Sequence, residues 1–339
     1  MAERELHAEY LVVGAGAAGC SLGYLLRQAG FDVLIIELCD LSSKDKLCGG
    51  ILGDGALQQL EKIYGADAAC ELPLFRPPYL RSRCLGREMV QRANFPVLPR
   101  RALDRWLLER YIASGGAVRN LVRPISICAS EHMVTCQDRA CGDALRITYG
   151  TLVGADGASS AVRRMLTGRK QRVCPSLEGK VAPAGTSIIF SYDLVRTGYC
   201  WYIPTGTGAN AGCVMYGGSA RECRAWLDSF CEANALELQG VRGAPIPTGD
   251  DILLKAAEDV WLVGDAAGLI DPPTSGGIYH ALASARCLAS SLTGGAPYEE
   301  AMGAFAGMIA GMAEHIGELS MSRAMAILGL KQDARGGER

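Results

Sequence analysis

A two-domain α/β fold is what this sequence of 339 residues predicts: a parallel sheet with helices, interrupted by a largely antiparallel α+β insertion. Three observations predict it. Tyr10-Leu11-Val12-Val13 and Val33-Leu34-Ile35-Ile36 are apolar runs with a helical stretch between them, the pattern of two buried parallel strands and their crossover helix. A third run, Val260-Trp261-Leu262-Val263, opens another strand-turn-helix unit late in the chain. Between Lys170 and Asp259 the pattern changes to short strand-like runs separated by Gly, Pro and Thr turns.

The bulk numbers set the frame. With 49% hydrophobic and 21% charged residues the chain is a folded globular protein with a substantial core. A net charge of −2 gives no footing for a nucleic-acid partner. The 14 cysteines are scattered, with neither a C-x-x-C pair nor a Cys/His cluster at metal-ligand spacing, so no metal site is expected. The start, MAERELHAEY, has no secretory pattern, and a cytoplasmic protein with mostly free thiols is the simplest expectation. No apolar run reaches the roughly 18–20 residues that span a bilayer. The nearest, Ala301–Ala313, is expected to be a packed helix, with Gly303, Gly307 and Gly311 letting another helix approach. Peripheral membrane contact there is the second reading. The oligomeric state leaves no mark on the sequence.

In chain order, Gly14-Ala15-Gly16-Ala17-Ala18-Gly19 is G-x-G-x-x-G at the junction of the first strand and a helix that runs from Ala18 to Gln28. Gly14 allows a tight turn, Gly16 lets the backbone approach a pyrophosphate, and Gly19 lets helix pack on strand. Glu37 ends the second strand about twenty residues on, where a carboxylate holds a ribose. These parts together mark a dinucleotide site. The run Leu47-Cys48-Gly49-Gly50 has two local readings, backbone pressed against something flat and bulky or a turn with a buried thiol. A helix follows from Asp54 to Gly65, with Leu57, Leu60 and Ile63 on one face.

Residues 73–97 are expected to be irregular or strand-rich. Another helix begins at Pro99-Arg100-Arg101 and ends near Ser114-Gly115-Gly116. Arg100 or Arg101 would either meet a phosphate or belong to a solvated basic face. Short strands, Arg146–Tyr149 and Thr151–Gly154, lead to Ala155-Asp156-Gly157 and a helix from Ala161. The insertion supplies strands at Thr186–Val195, Gly198–Ile203 and Ala211–Tyr216 and one helix, Ala220–Ala233. In the late unit, Gly264-Asp265 follows the strand, and Gly276 and Gly277 precede a helix starting at Ile278. A carboxylate that accepts from hydroxyls and a helix N-terminus that faces electron-rich atoms suit a ligand with sugars and phosphates. The expected division is 1–75, 96–165 and 258–297 for the nucleotide-binding domain and 76–95 with 166–257 for the substrate domain. Helices over 298–330 and a frayed tail at 331–339 complete the chain.

This set of motifs resembles the FAD-dependent oxidoreductases of the para-hydroxybenzoate hydroxylase fold, over about residues 8–295. It comprises Gly14–Gly19 with Glu37, Arg100 ahead of Leu103-Asp104, Gly154-Ala155-Asp156-Gly157, and Gly264–Gly268 with Gly276-Gly277. Within that fold it is most similar to the geranylgeranyl reductase family. Leu47-Cys48-Gly49-Gly50 resembles the family's cysteine-glycine-glycine loop beside the flavin. Tyr199-Cys200-Trp201-Tyr202-Ile203-Pro204 resembles its Y-x-W-x-F-P cavity signature, with Ile203 where Phe is more common.

The resemblance implies an extended FAD bound by Gly14, Gly16, Ala17, Ala18, Gly19, Glu37, Cys48, Gly49, Gly50, Arg100, Asp156, Gly157, Gly264, Asp265, Gly276, Gly277 and Ile278. The AMP half would lie at Gly14–Glu37. Asp265 would hold ribityl or pyrophosphate oxygens, and Gly276–Ile278 would sit by the flavin pyrimidine edge. Cys48, Trp201 and Tyr199 are the implied catalytic residues, with Cys48 at the flavin face and Trp201 in the cavity wall. No proton donor is identified. The bland alternative for Tyr199, Trp201 and Tyr202 is a strand that buries aromatics.

No second G-x-G-x-x-G is present, so electrons are expected from transiently docked NAD(P)H or a reduced donor protein. The leading expectation is reduction of a carbon–carbon double bond in a small apolar, prenyl-like substrate. The chain is short for the family, which leaves a smaller substrate, or one presented by a carrier or membrane, equally in play. A monooxygenase on the same scaffold and a flavin-binding assembly partner without turnover are the alternatives. A halogenase is disfavoured, because no lysine-bearing W-x-W-x-I-P segment is present.

Overall fold

The computed structural model describes residues 4–93 and 95–329. Its first sheet is built on β1 (Arg4–Val13), β2 (Val33–Ile36), β5 (Ala117–Arg119), β8 (Ala144–Gly154) and β15 (Val260–Leu262). These strands are parallel, in the order β15-β8-β1-β2-β5. An antiparallel edge strand, β14 (Lys255–Ala257), pairs with β15, and the hairpin of β6 (Val122–Cys128) and β7 (Met133–Asp138) joins β8. The fully buried apolar run of β2 and the buried second half of β1 are what a sheet covered on both faces requires. Among the helices packed here are α1 (Ala17–Gln28), α2 (Asp54–Tyr64), α3 (Arg100–Ala113) and α6 (Ile278–Leu292), with α1 touching α3 and α6 and α2 lying on α6.

The second sheet runs β13-β9-β12-β11-β10-β3-β4. Its strands are β3 (Tyr79–Cys84), β4 (Arg87–Arg92), β9 (Val173–Val181), β10 (Ile188–Tyr192), β11 (Gly198–Pro204), β12 (Ala209–Met215) and β13 (Gln239–Pro247). Pairing is antiparallel except for β3 beside β10. The chain is mixed α/β, as the sequence predicts. One face of this sheet carries Tyr199, Trp201, Ile203 and Val214. The other carries Cys200, Tyr202 and Cys213 under α5 (Ala220–Ala233), whose start is fixed by a reciprocal Ser219–Glu222 capping box.

Several expectations are corrected. The short strands anticipated at 146–149 and 151–154 are one continuous strand, β8, because Gly150 lies flat against the Glu9 carbonyl: a Cβ there would stand 2.8 Å from that oxygen. β9 and β13 were not anticipated. Their Pro, Gly and charged residues mask the alternation, and cross-strand pairing supplies the order that propensity lacks. A Cβ added at Gly303, Gly307 or Gly311 of α7 (Tyr298–Glu314) would meet nothing within 4 Å, so no helix among the described residues uses that close approach. Instead α7 buries Tyr298, Met302 and Ile309, and α8 (Ile316–Ile327) lays Ala324 and Ile327 on the apolar face of the second sheet. Residues 330–339, which hold the expected frayed tail, lie outside the described residues.

The α1–β1 junction leaves no room for side chains. A Cβ on Gly19 would stand 1.9 Å from the Gly14 carbonyl oxygen, and one on Gly14 (φ +109°) 2.4 Å from that of Ala155. Both neighbours are backbone and cannot rotate away. Gly19→Ala is therefore expected to cost more than the about 1–3 kcal/mol typical of overpacking, read as a lowered urea midpoint.

Candidate flavin site

The site forms where the C-terminal ends of β1, β2, β8 and β15 meet the loops that follow them, the usual place for a ligand in such a sheet. Gly16 caps α1, and no side chain satisfies the helix's first N–H groups. A Cβ on Gly16 would meet only Arg100 Nη2, at 3.9 Å, so the helix end faces that guanidinium across open space. Arg100 is 8% exposed, and its Nε donates to Asp104 Oδ1 at 2.8 Å. Burial disfavours its charge, but Asp104, Cys48 and Asp265 together hold it firmly protonated. Arg101, its neighbour, instead donates to the Ser42 carbonyl at the surface. A buried guanidinium with free Nη groups beside an uncapped helix start suits a pyrophosphate.

Glu37 stands at the end of β2. Its carboxylate accepts from the Ala15 and Cys39 N–H groups, both at 2.9 Å, and from Lys44 Nζ at 2.5 Å. Burial works against ionisation, yet Lys44 and these N–H donors hold the carboxyl below its ordinary range. Asp265 follows the same design. Its side chain is only partly buried, 15% exposed; burial still works against ionisation, and Lys46, at 2.6 Å from Oδ2, with Arg100 and His280 holds the carboxyl below its ordinary range. The lysines were not singled out in the sequence; a lysine in a polar loop carries no signature until the fold brings it to a carboxylate.

Gly264 (φ +56°) donates its N–H to Ser284 Oγ at 3.0 Å, and a Cβ there would touch Ala18 at 3.3 Å, so the strand end lies on α1. Gly277 caps α6, and a Cβ there would stand 2.8 Å from Asp265 Oδ1, so only glycine lets the two approach. Gly276 closes the preceding loop by accepting from the Asp271 N–H at 3.0 Å. Ile278 is the first, buried residue of α6. Asp156 faces another helix: its Oδ2 accepts from the Ala161 and Val162 N–H groups at 2.6 and 3.2 Å and caps α4 (Ala161–Thr167). Its Oδ1 is buried without a partner, and burial raises the carboxyl above its ordinary value despite those donors. Gly157 (φ +79°) turns the chain beside it.

The second sheet closes the other side. The Gly50 N–H donates to Cys48 Sγ at 3.4 Å, and a Cβ on Gly49 would sit 2.4 Å from Ile203 Cδ1 and 3.9 Å from Trp201 Nε1. The cysteine-glycine-glycine loop therefore lies directly on the aromatic strand. Trp201 donates its indole N–H to Asn210 at 3.0 Å. The hydroxyls of Tyr199 and Tyr216 donate to the carbonyls of Thr274 and Pro272, which pins the 272–277 loop to this sheet. The local reading of a strand that buries aromatics is met: Tyr199 and Trp201 are 8% and 6% exposed, and Tyr199 packs on Phe190, Tyr192 and Trp201.

One acid escaped the sequence reading. Glu178, on β9, has a buried Oε2 without a hydrogen-bond partner, and burial pushes its carboxyl up to about 7. Its alternating position on β9 was the only available signal, and that strand was not anticipated.

A Gly-rich strand-helix turn, a carboxylate after the second strand and a buried arginine between them define an FAD-binding oxidoreductase of the Rossmann-like kind. Residues 7–182, more than half of the chain, match the family model described as FAD binding domain, and the chain belongs to that family. It is 26% identical over 301 residues to geranylgeranyl diphosphate reductase of Rhodobacter capsulatus, covering 83% of this chain and 73% of that one. Digeranylgeranylglycerophospholipid reductase 1 of Methanopyrus kandleri is 27% identical, over 82% of this chain and 78% of its own. Among solved structures, a geranylgeranyl bacteriochlorophyll reductase-like protein of Thermoplasma acidophilum superposes with a TM-score of 0.77 at 19% identity, covering 95% of this chain and 88% of that one. The fold is thus that of the FAD-dependent oxidoreductases, and the resemblance to geranylgeranyl reductases holds along most of the chain.

Two outcomes are expected. Glu37→Gln removes the charged acceptor and should weaken FAD binding by about 10–100-fold, measured by flavin fluorescence on titration. Glu178 holds a proton in the folded chain that the unfolded chain has released between the ordinary carboxyl value and about 7. Stability from this group therefore falls as pH rises through that window, and Glu178→Gln should raise the melting temperature at about pH 8 but not at about pH 4.

Proposed function

We propose that this protein reduces carbon–carbon double bonds of an apolar, prenyl-like substrate. The observation that carries the reading is the packing of the Cys48–Gly50 loop on Ile203 and Trp201, which joins the flavin loop to an apolar, aromatic wall. FAD, when bound, supplies two electrons as a hydride from N5.

The chain's residues do the rest. The start of α1 and Arg100 hold the pyrophosphate, Glu37 the adenosine ribose, and Asp265 the ribityl or pyrophosphate oxygens. The uncapped start of α6 at Gly277-Ile278 favours negative charge on the reduced ring. Cys48 lines the flavin face. Tyr199, Trp201 and Ile203, with α8 laid over the same cluster, exclude water from the substrate. Electrons come from docked NAD(P)H or a reduced donor protein. An apolar substrate of this kind partitions into membranes, so work at a membrane surface belongs to the same reading; no described helix is long and apolar enough to cross one.

The test is anaerobic. After the bound FAD is reduced with dithionite and excess reductant removed, geranylgeranyl diphosphate should reoxidise it and yield a more saturated product by mass spectrometry. A hydroxylated product that forms only with O₂ would instead establish a monooxygenase. No product from either regime would leave a flavin carrier without turnover. Cys48→Ser is expected to keep its FAD and lose turnover; intact turnover would reduce Cys48 to packing.

A further inference from the structure

The second sheet carries an acid on its aromatic face, at β9, one strand in from the β13 edge. Strand register sets Glu178 opposite Gly212, and Gly212 opposite Trp201, so the three form one row across β9, β12 and β11. Leu177, the next residue, points to the α5 side, so Glu178 shares its face with Trp201 and Tyr199. Gly212 has no side chain, and the indole fills its place: a Cβ there would stand 2.2 Å from Trp201 Cζ2. The ring thus lies over the strand that separates it from Glu178. From the other side the Cys48 backbone N–H faces the carboxyl.

The charges around Glu178 leave it unpaired. Arg242 on β13 is its register partner. That guanidinium is spent on Asp45, donating to the carboxylate at 2.9 Å and to the carbonyl at 3.1 Å. Burial raises the carboxyl and outweighs the Cys48 N–H, Arg242 and Lys180, which favour ionisation, while Asp45 opposes it. A carboxyl with a purely structural task would normally be paired here, since a buried unpaired charge is costly. Glu178 has a buried, unpartnered oxygen instead, beside the loop and the indole that enclose the reacting region.

We propose that Glu178 is the proton donor for reduction of the double bond, an inference that rests on the reductase reading. The alkene takes a hydride from the reduced flavin at one carbon and a proton from Glu178 at the other. The π bond, the N5–H bond of the reduced flavin and the carboxyl O–H bond break, two C–H bonds form, and oxidised flavin and a carboxylate remain. Asp45 and Arg242 have side chains 28% and 48% exposed, so water reaches the ion pair beside Glu178 and can return the proton.

The experiment uses the FAD-loaded full chain with geranylgeranyl diphosphate as probe. Glu178→Gln should retain its FAD and its rate of reduction by dithionite, yet lose product formation by at least about 100-fold, the lower end for a general acid. Wild-type turnover should fall as pH rises through about 7, a break absent from the residual activity of the variant. Independently of turnover, infrared titration of the oxidised protein should show a protonated-carboxyl band lost near that pH and missing from Glu178→Gln. Equal turnover in variant and wild type, or a carboxyl band absent or titrating in the ordinary range, would overturn the proton donor alone. A wild type that leaves the probe unreduced would overturn the reductase reading with it.

Discussion

A guanidinium out of water is the constraint on which the site depends. Arg100 is held by Asp104 one turn along α3 and faces the start of α1, and Asp265 adds its field from the far end of the chain. An isolated cation in such a place would be untenable, and a fully neutralised one would attract no anion. One carboxylate bonded at Nε satisfies the first condition while the Nη groups stay free for the second. The same balance recurs at Glu37 with Lys44 and at Asp265 with Lys46. Each carboxylate suited to hydroxyls is kept ionised by a lysine on a loop, and that lysine can give way when a hydroxyl arrives.

Local signals made much of this legible in the sequence. Gly14 and Gly19 are dictated by backbone contacts and Gly277 by the Asp265 carboxylate, and glycine is nearly the only residue that can answer such demands. Apolar runs located β1, β2 and β15 because strands buried on both faces leave no alternation to misread. The second sheet was harder. β9 and β13 mix Pro, Gly and charge, and their order comes from partners far along the chain, from Val181 with Ala209 to Val173 with Pro247. Glu178 was lost with β9. The lysine partners of Glu37 and Asp265 were lost for another reason, since ion pairing across the fold has no sequence period.

The two sheets do not merely adjoin. Tyr199 and Tyr216 reach from one to grip the 272–277 loop of the other, while the Cys48–Gly50 loop returns the contact on Ile203. The loop before α6 is therefore set from the aromatic face as well as from its own helix. A ligand that displaces Tyr199 must also disturb the backbone that leads into Gly276 and Gly277, which couples occupancy of the wall to the shape of the helix start.

The pieces of the candidate flavin site are far apart along the chain, from Gly14 to Ile278, with Glu37 and Arg100 between them. Closing such long loops is entropically slow, and β1 must wait for β8 and β15 before its sheet is complete. During synthesis, a ribosome that has released only the first half of the chain exposes the glycine turn and Glu37 but neither Asp265 nor the α6 terminus. Capture of a flavin at this candidate site is thereby tied to synthesis beyond Ile278, when β1, β8, β15 and α6 can come together.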